Sequence, residues 1–350
     1  MTPNPYQFRL DKLIEKARAA KLEAVVLSDV ANVRSVTGLT CDNAVLLVKP
    51  SRRGRSAAVK FYTDFRYVPM VHRSAPWLEA GDIREIDFKA SRIGCEFSMP
   101  HAKFLELSAA HSGAEFVDVS EMMLGLRAVK SEDEIWYIRR AEHLTCSFFR
   151  QAIKDFRPGM TEIKLAQRIK AYFALGAEGE AFDTIVCIGR NAAECHHIPN
   201  DTVWTGKEPI LVDLGIKYEG YCGDLTRNKV PRNVSSVYRD VYAIVKEANK
   251  AAIRAARPGM TAGELDAVAR DIIERAGYGK AFGHALGHGV GLEIHEWPVA
   301  RKGSEMVLEP GMVVTIEPGI YLEDKLGVRI EDLILITKTG CECLSDWAAK

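Results

Sequence analysis

An internal repeat in the C-terminal part of the chain constrains the fold more than any other sequence feature. The motif Arg157-Pro-Gly-Met-Thr161 recurs as Arg257-Pro-Gly-Met-Thr261, and a helical pattern precedes and follows each copy. Further along, His196-His-Ile-Pro199 is matched by His295-Glu-Trp-Pro298 at nearly the same offset. Repeated units of this kind predict two half-domains, each made of two helices followed by antiparallel strands and related by a pseudo-two-fold axis.

The first part of the chain has a different pattern, in which helical and extended segments alternate as in an α/β domain. Because 350 residues exceed the usual size of one core, we assign residues 1–128 to this domain. Ser131-Glu-Asp-Glu134 then supplies a helix N-cap with a carboxylate three residues later, which predicts a long helix opening a second domain over residues 129–350. The segments expected to be helical in the first domain are 6–20, 67–73 and 101–110. The strands expected there are 23–28, 43–48, 57–62, 83–88, 92–96 and 115–119.

Four acidic residues occupy strand positions in apolar surroundings. Asp213 ends an apolar run, and Asp224 follows at a distance that favours a hairpin with the two carboxylates side by side. In the second copy of the repeat, Glu317 and Glu331 occupy the matching positions. Since an isolated carboxylate in a low-dielectric interior is destabilising by several kcal/mol, four such groups require compensating positive charge.

Each of these four residues also has an ordinary structural alternative. Asp213 and Glu317 precede short turn sequences that contain glycine, and could be turn residues. The other two residues each have an arginine close by, and the candidate ion pairs are Asp224 with Arg227 and Glu331 with Arg329. A repeat that matches the acidic residues two against two favours a shared site at the seam between the halves.

The stretch over residues 282–298 places three histidines, His284, His288 and His295, among glycines. The glycines remove side chains around His288 and let other groups approach its imidazole. Four carboxylates carry a charge of −4, which two divalent cations neutralise, so we predict a two-metal site completed by His288. An oxygen-rich ligand set with one imidazole favours Mn²⁺ or Co²⁺, with Zn²⁺ or Fe²⁺ as alternatives.

Composition narrows the class of partner. Lys and Arg number 47, as do Asp and Glu, and the pI is near 7.1, so no overall field attracts nucleic acid or an anionic membrane. The basic turn at residues 51–55 has no interleaved aromatic residues, and we interpret it as a solvated hairpin tip. Eight scattered cysteines are expected to be reduced. Without an apolar leader or a spanning window, a soluble, cytoplasmic protein is expected.

A family resemblance appears when the candidate ligands are taken with their neighbours. Asp213, Asp224, His288, Glu317 and Glu331 stand in the contexts VDLG, GDLTR, GHGVGLEIHE, TIEPGIY and VRIEDLILIT. This series resembles the metallopeptidases with the pita-bread fold, which include aminopeptidase P, prolidase and methionine aminopeptidase. Residues 32–38, 63–67 and 130–134 resemble the N-terminal domain and linker of the Xaa-Pro branch, which methionine aminopeptidase lacks. The resemblance covers nearly the whole chain, and it implies a creatinase-like α/β N-terminal domain followed by an α+β pita-bread catalytic domain.

The resemblance also implies a chemistry. The implied metal ligands are Asp213, Asp224, His288, Glu317 and Glu331. A hydroxide bridging two divalent ions would attack the scissile carbonyl, with Glu317 as the proton shuttle. The resemblance makes His295 the residue that steadies the oxyanion, and places His196 and His284 at the substrate. Because His197 adjoins His196, the choice within that pair stays open, and Arg329 is expected to contact either substrate or a carboxylate.

The implied activity is hydrolysis of the bond between an N-terminal residue and a following proline, by a homodimeric enzyme of the aminopeptidase P or prolidase type. Two alternatives keep the fold without the metals: a creatinase-like hydrolase and a non-catalytic binding protein. The intact ligand set argues against both. A nucleotide loop at Gly287-His-Gly-Val-Gly291 is excluded, because no strand-loop-helix unit with a downstream acidic partner surrounds it. The spacing does not decide between dipeptides and longer peptides.

Overall fold

The computed structural model describes residues 5–51 and 56–350. The chain divides into two compact units, one that ends at Arg127 and one that spans Ala128–Lys350. Among the helices in these described ranges, none has both the length and the apolar character needed to cross a membrane. The predicted hairpin tip at residues 51–55 lies almost wholly outside the described residues.

The described residues of the first unit form a six-stranded mixed sheet with helices on both faces. Its helices are α1 (Pro5–Ala19), α2 (Val30–Thr37), α3 (Val68–Ser74), α4 (His101–Ala110) and α5 (Ser120–Ala128). Its strands are β1 (Ala24–Leu27), β2 (Ala44–Lys49), β3 (Ala58–Thr63), β4 (Glu79–Asp82), β5 (Arg92–Cys95) and β6 (Glu115–Asp118), in the order β4-β3-β2-β1-β5-β6. Alternate residues of β1 enter two cores: Val25 and Leu27 join the core containing Leu13 of α1, whereas Ala24 and Val26 join the core against which Phe104 of α4 packs.

The α/β pattern of this unit is as predicted, with two local differences. Residues 83–88 were expected to be extended, but the strand lies earlier, at Glu79–Asp82, and a 3-10 turn follows at Ile83–Glu85. The Asp82 side chain accepts a hydrogen bond from the Arg84 backbone N–H and starts that turn. Helix α2 had no predicted counterpart; Asp29 caps its start, and Gly38 ends it with a left-handed φ of 77°.

The second unit has the helix-helix-strand order that the repeat predicts. Its helices are α6 (Glu132–Ala152), α7 (Glu162–Phe173), α8 (Ser236–Ala255) and α9 (Ala262–Arg275). The strands of its first half are β7 (Gly179–Glu180), β8 (Ile185–Ile188), β9 (Ile210–Leu214), β10 (Ile216–Tyr218), β11 (Tyr221–Cys222) and β12 (Leu225–Lys229). Those of its second half are β13 (Gly287–Gly289), β14 (Glu296–Ala300), β15 (Val313–Ile316), β16 (Gly319–Leu322), β17 (Leu326–Arg329), β18 (Asp332–Ile336) and β19 (Cys341–Cys343). The predicted capping box is present at the start of α6, where Ser131 and Glu134 exchange side-chain and backbone hydrogen bonds.

The two copies of the repeated motif have the same local structure. Thr161 caps the N-terminus of α7, and Thr261 caps that of α9. Each threonine also forms an isolated bridge to a later valine, Val203 or Val307. In both copies the glycine of the motif has a left-handed φ, of 92° and 87°, which explains why the repeat preserves glycine there.

The strands repeat as well. In the first half, β9 pairs with β12 antiparallel, and the hairpin β10–β11 is inserted between them. In the second half, β15 pairs with β18 antiparallel, and the hairpin β16–β17 is inserted in the same way. Separate apolar cores lie beneath the halves, one joining α6 and α7 to β9, the other joining α8 and α9 to β15. The ends of the two strand pairs therefore present equivalent positions.

Candidate metal centre and active site

One cavity in the second unit, with a volume of about 810 Å³, is lined by all of the predicted metal ligands. Asp213, Asp224, His288, Glu317 and Glu331 line it. Four further predicted site residues, His196, His197, His284 and His295, line the same cavity together with Arg329. Both halves of the repeat thus contribute to one site.

The first half supplies two aspartates from adjacent strands. Asp213 lies in β9 opposite Thr226 of β12, and Asp224 immediately precedes β12. The predicted hairpin relationship is therefore present, although β10 and β11 interrupt it. The backbone of Asp224 is fixed by helix α6, because its N–H donates to Oε2 of the fully buried Glu142 at 2.9 Å.

The second half places two glutamates in the matching positions. Glu317 immediately follows β15, and Glu331 immediately precedes β18, so they flank the register pair Ile316–Asp332. The hydroxyl of Thr226 donates to Oε2 of Glu331 at 2.7 Å, which joins the two halves at the site. These placements follow from the strand register.

His288 lies on the short strand β13, between two glycines. A Cβ at Gly287 would lie 1.9 Å from the carbonyl oxygen of Thr315, and a Cβ at Gly289 would lie 2.1 Å from that of Trp297, so only glycine fits. The Nδ1–H of His288 donates to the Gly289 carbonyl at 3.1 Å. This bond leaves the lone pair on Nε2, the atom that faces the carboxylates.

The acidic ligands are close together, with Asp213, Asp224 and Glu331 buried and Glu317 half-buried. Ligand atoms of Asp224, His288 and Glu331 all lie within 4.8 Å of one another, and Nε2 of His288 is 3.3 Å from Oε1 of Glu317. Burial, followed by the charges of neighbouring carboxylates, holds the pKa values of Asp224 and Glu331 well above their usual range. Burial also raises the pKa of Glu317 and lowers that of His288. The group therefore carries more negative charge than its neighbouring side chains neutralise.

The donors present fit divalent cations. Oδ1 of Asp213 is buried and has no hydrogen-bond partner among the described residues. This is expected for an oxygen that acts as a metal ligand. The set combines carboxylate oxygens with one imidazole and includes no thiolate, which suits hard or borderline divalent ions. Carboxylates, a buried oxygen without a described partner and an imidazole with its lone pair inward together define a candidate metal-binding site.

Arg227 and Arg329 do not form the ion pairs that sequence proximity suggested for Asp224 and Glu331. Arg227 pairs with Asp332, with Nη2 and Oδ1 2.7 Å apart, instead of with Asp224. Arg329 pairs with Asp213 across the halves, with Nη2 and Oδ2 2.6 Å apart, instead of with Glu331. Of the two outcomes left open for Arg329, contact with a carboxylate is the one present.

The other histidines surround the acidic group in different ways. The His295 ring lies 4.3 Å from that of His288, and burial, then His288 and His196, lower its pKa. Nε2 of His284 lies 3.0 Å from the hydroxyl of Tyr321. His196 is exposed at the cavity rim, whereas His197 is buried with both ring nitrogens bonded to carboxylates.

Sequence reasoning missed Tyr321 and Glu142. Tyr321 in β16 accepts a hydrogen bond from Arg329 at 2.9 Å and contacts His284, so it links two predicted site residues. Its position in the hairpin inserted between Glu317 and Glu331 was the available signal. Glu142 had no signal, because it lies in α6, far from the acidic residues in sequence.

Two half-domains of this topology, with carboxylates from both halves and a histidine converging at their seam, define the class: a pita-bread metallopeptidase. The chain belongs to metallopeptidase family M24, whose family model matches residues 137–338. A second model, the Creatinase/Prolidase N-terminal domain, matches residues 9–129. The predicted family and fold are thereby confirmed.

Individual relatives agree with this assignment. The chain is 36% identical over 343 residues to an Xaa-Pro dipeptidase from Pyrococcus horikoshii, and the match covers 96% of each protein. It is similar to the crystal structure of the prolidase from Pyrococcus horikoshii, with a TM-score of 0.92, 33% identity, and coverage of 98% of this chain and 99% of that one. It is also similar to the X-Pro aminopeptidase from Thermotoga maritima, with a TM-score of 0.84, 32% identity, and coverage of 95% and 97%.

Proposed function

We propose that the protein is a dinuclear metal-dependent exopeptidase that hydrolyses the bond between an N-terminal residue and a following proline. The observation that carries this proposal is the group of four carboxylates and one imidazole in one cavity, in which burial and then the charges of neighbouring carboxylates raise the pKa values of Asp224 and Glu331. The M24 family membership supplies the metallopeptidase class. Relatives named for Xaa-Pro dipeptidase and X-Pro aminopeptidase activity supply the substrate class.

The charge of the group supports two divalent ions. Four carboxylates carry −4, and the Arg329 guanidinium paired with Asp213 offsets one of these charges, so about −3 remains, which is more than one divalent ion neutralises. Asp213 would hold one ion, Asp224 and Glu331 both ions, and His288 with Glu317 the other; we propose Mn²⁺ or Co²⁺ as the metal. Bound there, the ions would supply Lewis acidity, which lowers the pKa of a water molecule and polarises the scissile carbonyl.

The chain's own residues perform the proton transfer and charge stabilisation. Glu317 takes the proton of the attacking water and delivers it to the departing nitrogen. The imidazole of His295, beside His288, donates a hydrogen bond to the oxyanion as negative charge develops. His196 and His284, which both line the cavity, orient the peptide.

A proline after the scissile bond explains the need for such a site. The imide nitrogen of proline has no N–H, so an enzyme cannot position this bond through a hydrogen bond from the scissile nitrogen. Side chains on the cavity wall must hold the N-terminal residue and the pyrrolidine ring instead. Relatives of this chain bear both dipeptidase and aminopeptidase names, so substrate length is a separate question.

Metal removal tests the proposal. Protein stripped with a chelator should lose hydrolysis of Ala-Pro and Ala-Pro-Ala, and Mn²⁺ or Co²⁺ should restore it at two ions per chain. Elemental analysis and circular dichroism check the metal content and the fold of the stripped protein. Full activity after verified removal would favour the creatinase-like alternative, and saturation at one ion would refute the dinuclear site. The ratio of kcat/KM for Ala-Pro and Ala-Pro-Ala decides the preferred length.

A further inference from the structure

A buried glutamate organises the irregular segment that carries His196. Glu162 in the first turn of α7 is fully buried, and its carboxylate has several hydrogen-bond donors. The backbone N–H groups of Ile188 and Asn200 donate to it at 2.6 and 3.0 Å. The Asn191 amide donates at 2.9 Å, and Nε2 of His197 lies 2.8 Å away. One helix side chain therefore holds the backbone at the end of β8 and at Asn200, on both sides of His196.

His197 connects this buried carboxylate to a second, exposed one. Its Nδ1 lies 2.9 Å from Oε2 of Glu194, whose side chain is 74% exposed. A neutral imidazole has only one N–H, so with both carboxylates ionised the two contacts are both hydrogen bonds when the ring is a doubly protonated imidazolium. Burial opposes that charge, but the bonds to Glu194 and Glu162 outweigh burial and raise the pKa of His197.

This bridge spans the residue that faces the cavity. Residues 194–200 form no regular helix or strand, so side-chain bonds provide much of what fixes their conformation. His196 lies between Glu194 and His197, is exposed at the cavity rim, and is close enough to His295 to lower its pKa. His196 therefore lies in the stretch of backbone that this bridge holds.

We propose that His197 is a positioning residue, which fixes His196 against the substrate by linking Glu162 to Glu194. This inference rests on the proposed peptidase function, and it assigns His197 a role different from substrate contact. Since both ring nitrogens are already bonded, His197 has no free donor for a peptide. Its effect on catalysis passes through its neighbour.

The bridge is pH-dependent in a defined direction. The ionisable groups that contact the ring are Glu162 from α7 and Glu194 from its own segment. A histidine with a raised folded pKa contributes stability that is complete below the ordinary pKa of 6.5 and is lost as pH rises through the folded value. Positioning of His196 is thus strongest on the acidic side of that range.

A double-mutant cycle tests the proposal. His197→Ala should lower kcat/KM for Ala-Pro about tenfold, and the same change in a His196→Ala background should cause no further loss. Glu162 keeps three donors in His197→Ala, so the fold should be retained; His72→Ala, at an exposed histidine of the first unit, is the matched control. Equal losses in both backgrounds, or wild-type rates in His197→Ala, would overturn the proposal.

A conservative variant separates positioning from a general structural role. Glu194→Gln lets a neutral His197 donate to Glu162 and accept from the new amide, so activity near pH 7 should be kept while the alkaline loss of kcat/KM attributable to His197 disappears. An unchanged pH profile in Glu194→Gln would contradict the bridge. Amide hydrogen exchange over residues 189–200 should also become faster in His197→Ala. Hydrogen exchange tests whether His197 fixes this segment even if the wild-type protein fails to cleave Xaa-Pro peptides.

Discussion

Glu331 and Asp332 are neighbours in sequence, yet they lie in opposite electrostatic environments. Both are buried. Asp332 contacts two cations, Nη2 of Arg227 at 2.7 Å and Nζ of Lys350 at 2.5 Å, and these outweigh burial and lower its pKa. Glu331 instead lines the cavity. Burial, followed by the charges of Glu317 and Asp213, holds its pKa well above its usual range.

The difference in counter-charge distinguishes the structural ion cluster at Asp332 from the candidate binding site at Glu331. Around Asp332 the protein supplies its own counter-charge, so that cluster is complete in the folded chain. Around Glu331 the counter-charge is incomplete, so repulsion between the carboxylates is expected to destabilise the protein when no cation is bound. Perturbed groups that face a cavity mark functional sites in this way. Substitutions at the two positions should therefore have opposite consequences.

Removing the Glu331 charge should have the largest effect on activity. In Glu331→Gln the proposed shared ligand loses its charge, so kcat/KM for Ala-Pro should fall by about a thousandfold or more, and bound metal should drop below two ions per chain. Steady-state kinetics and elemental analysis measure both quantities. Glu309→Gln, at an exposed glutamate of the same unit, is the control. Full metal content with wild-type rates would remove Glu331 from the site.

Removing the Asp332 charge should instead affect stability. Asp332→Asn leaves Arg227 buried without its carboxylate partner, and breaking a buried pair from one side is destabilising by about 3–5 kcal/mol. Urea unfolding of the metal-loaded protein measures the loss, with metal content expected to remain at the wild-type level in the folded protein. A variant as stable as wild type would show that the two clusters do not differ as described.

The stability of the metal-free protein should fall as pH rises, and Glu331→Gln should make this fall smaller. Asp224 and Glu331 have raised folded pKa values, so their protonation favours the folded state, and stability falls as pH rises above their ordinary values of 3.8 and 4.5. At pH 8, Glu331→Gln should make the metal-free protein more stable by about 1–2 kcal/mol. Chelated samples unfolded in urea between pH 5 and 8 test this. A metal-free wild type that gains stability toward pH 8 would contradict the repulsion.

Much of the fold and the acidic group could be predicted because both depend on sequence periodicity. The repeated RPGMT motif marks two helix caps with the same backbone geometry, and the repeat predicted the paired strands. Residues at strand ends are placed by register, so Asp213 and Glu331 could be brought to one seam without a structure. That the five candidate residues bind metal stays a prediction.

The partners of these residues could not be predicted, because long side chains cross between elements. Sequence proximity suggested that Arg329 pairs with Glu331, but its guanidinium reaches Asp213 on a strand of the other half. The adjacent histidines His196 and His197 are equivalent in sequence, and only the buried Glu162 separates their environments. Tertiary contacts of this kind leave no periodic signal.

Tyr321, which the sequence did not reveal, should produce the smallest effect. Arg329 donates to its hydroxyl, so the hydroxyl proton is directed to Nε2 of His284, while Nδ1–H of His284 donates to the Ala285 carbonyl at 2.7 Å. Tyr321→Phe removes both links and leaves the acidic group intact. Losing a hydrogen bond worth about 1 kcal/mol should raise KM for Ala-Pro about fivefold, with little change in kcat.

Steady-state kinetics should compare Tyr321→Phe with the control Tyr242→Phe, which removes a half-buried hydroxyl from α8. The comparison isolates the effect of the Tyr321 hydroxyl on KM. A fall in kcat with unchanged KM would mean that the hydroxyl acts in the transition state, which would place it with the acidic group instead of with the substrate histidines. An unchanged KM and kcat would show that Arg329 and His284 keep their positions without it. The outcome therefore tells whether the region beside the acidic group binds substrate or takes part in the chemistry.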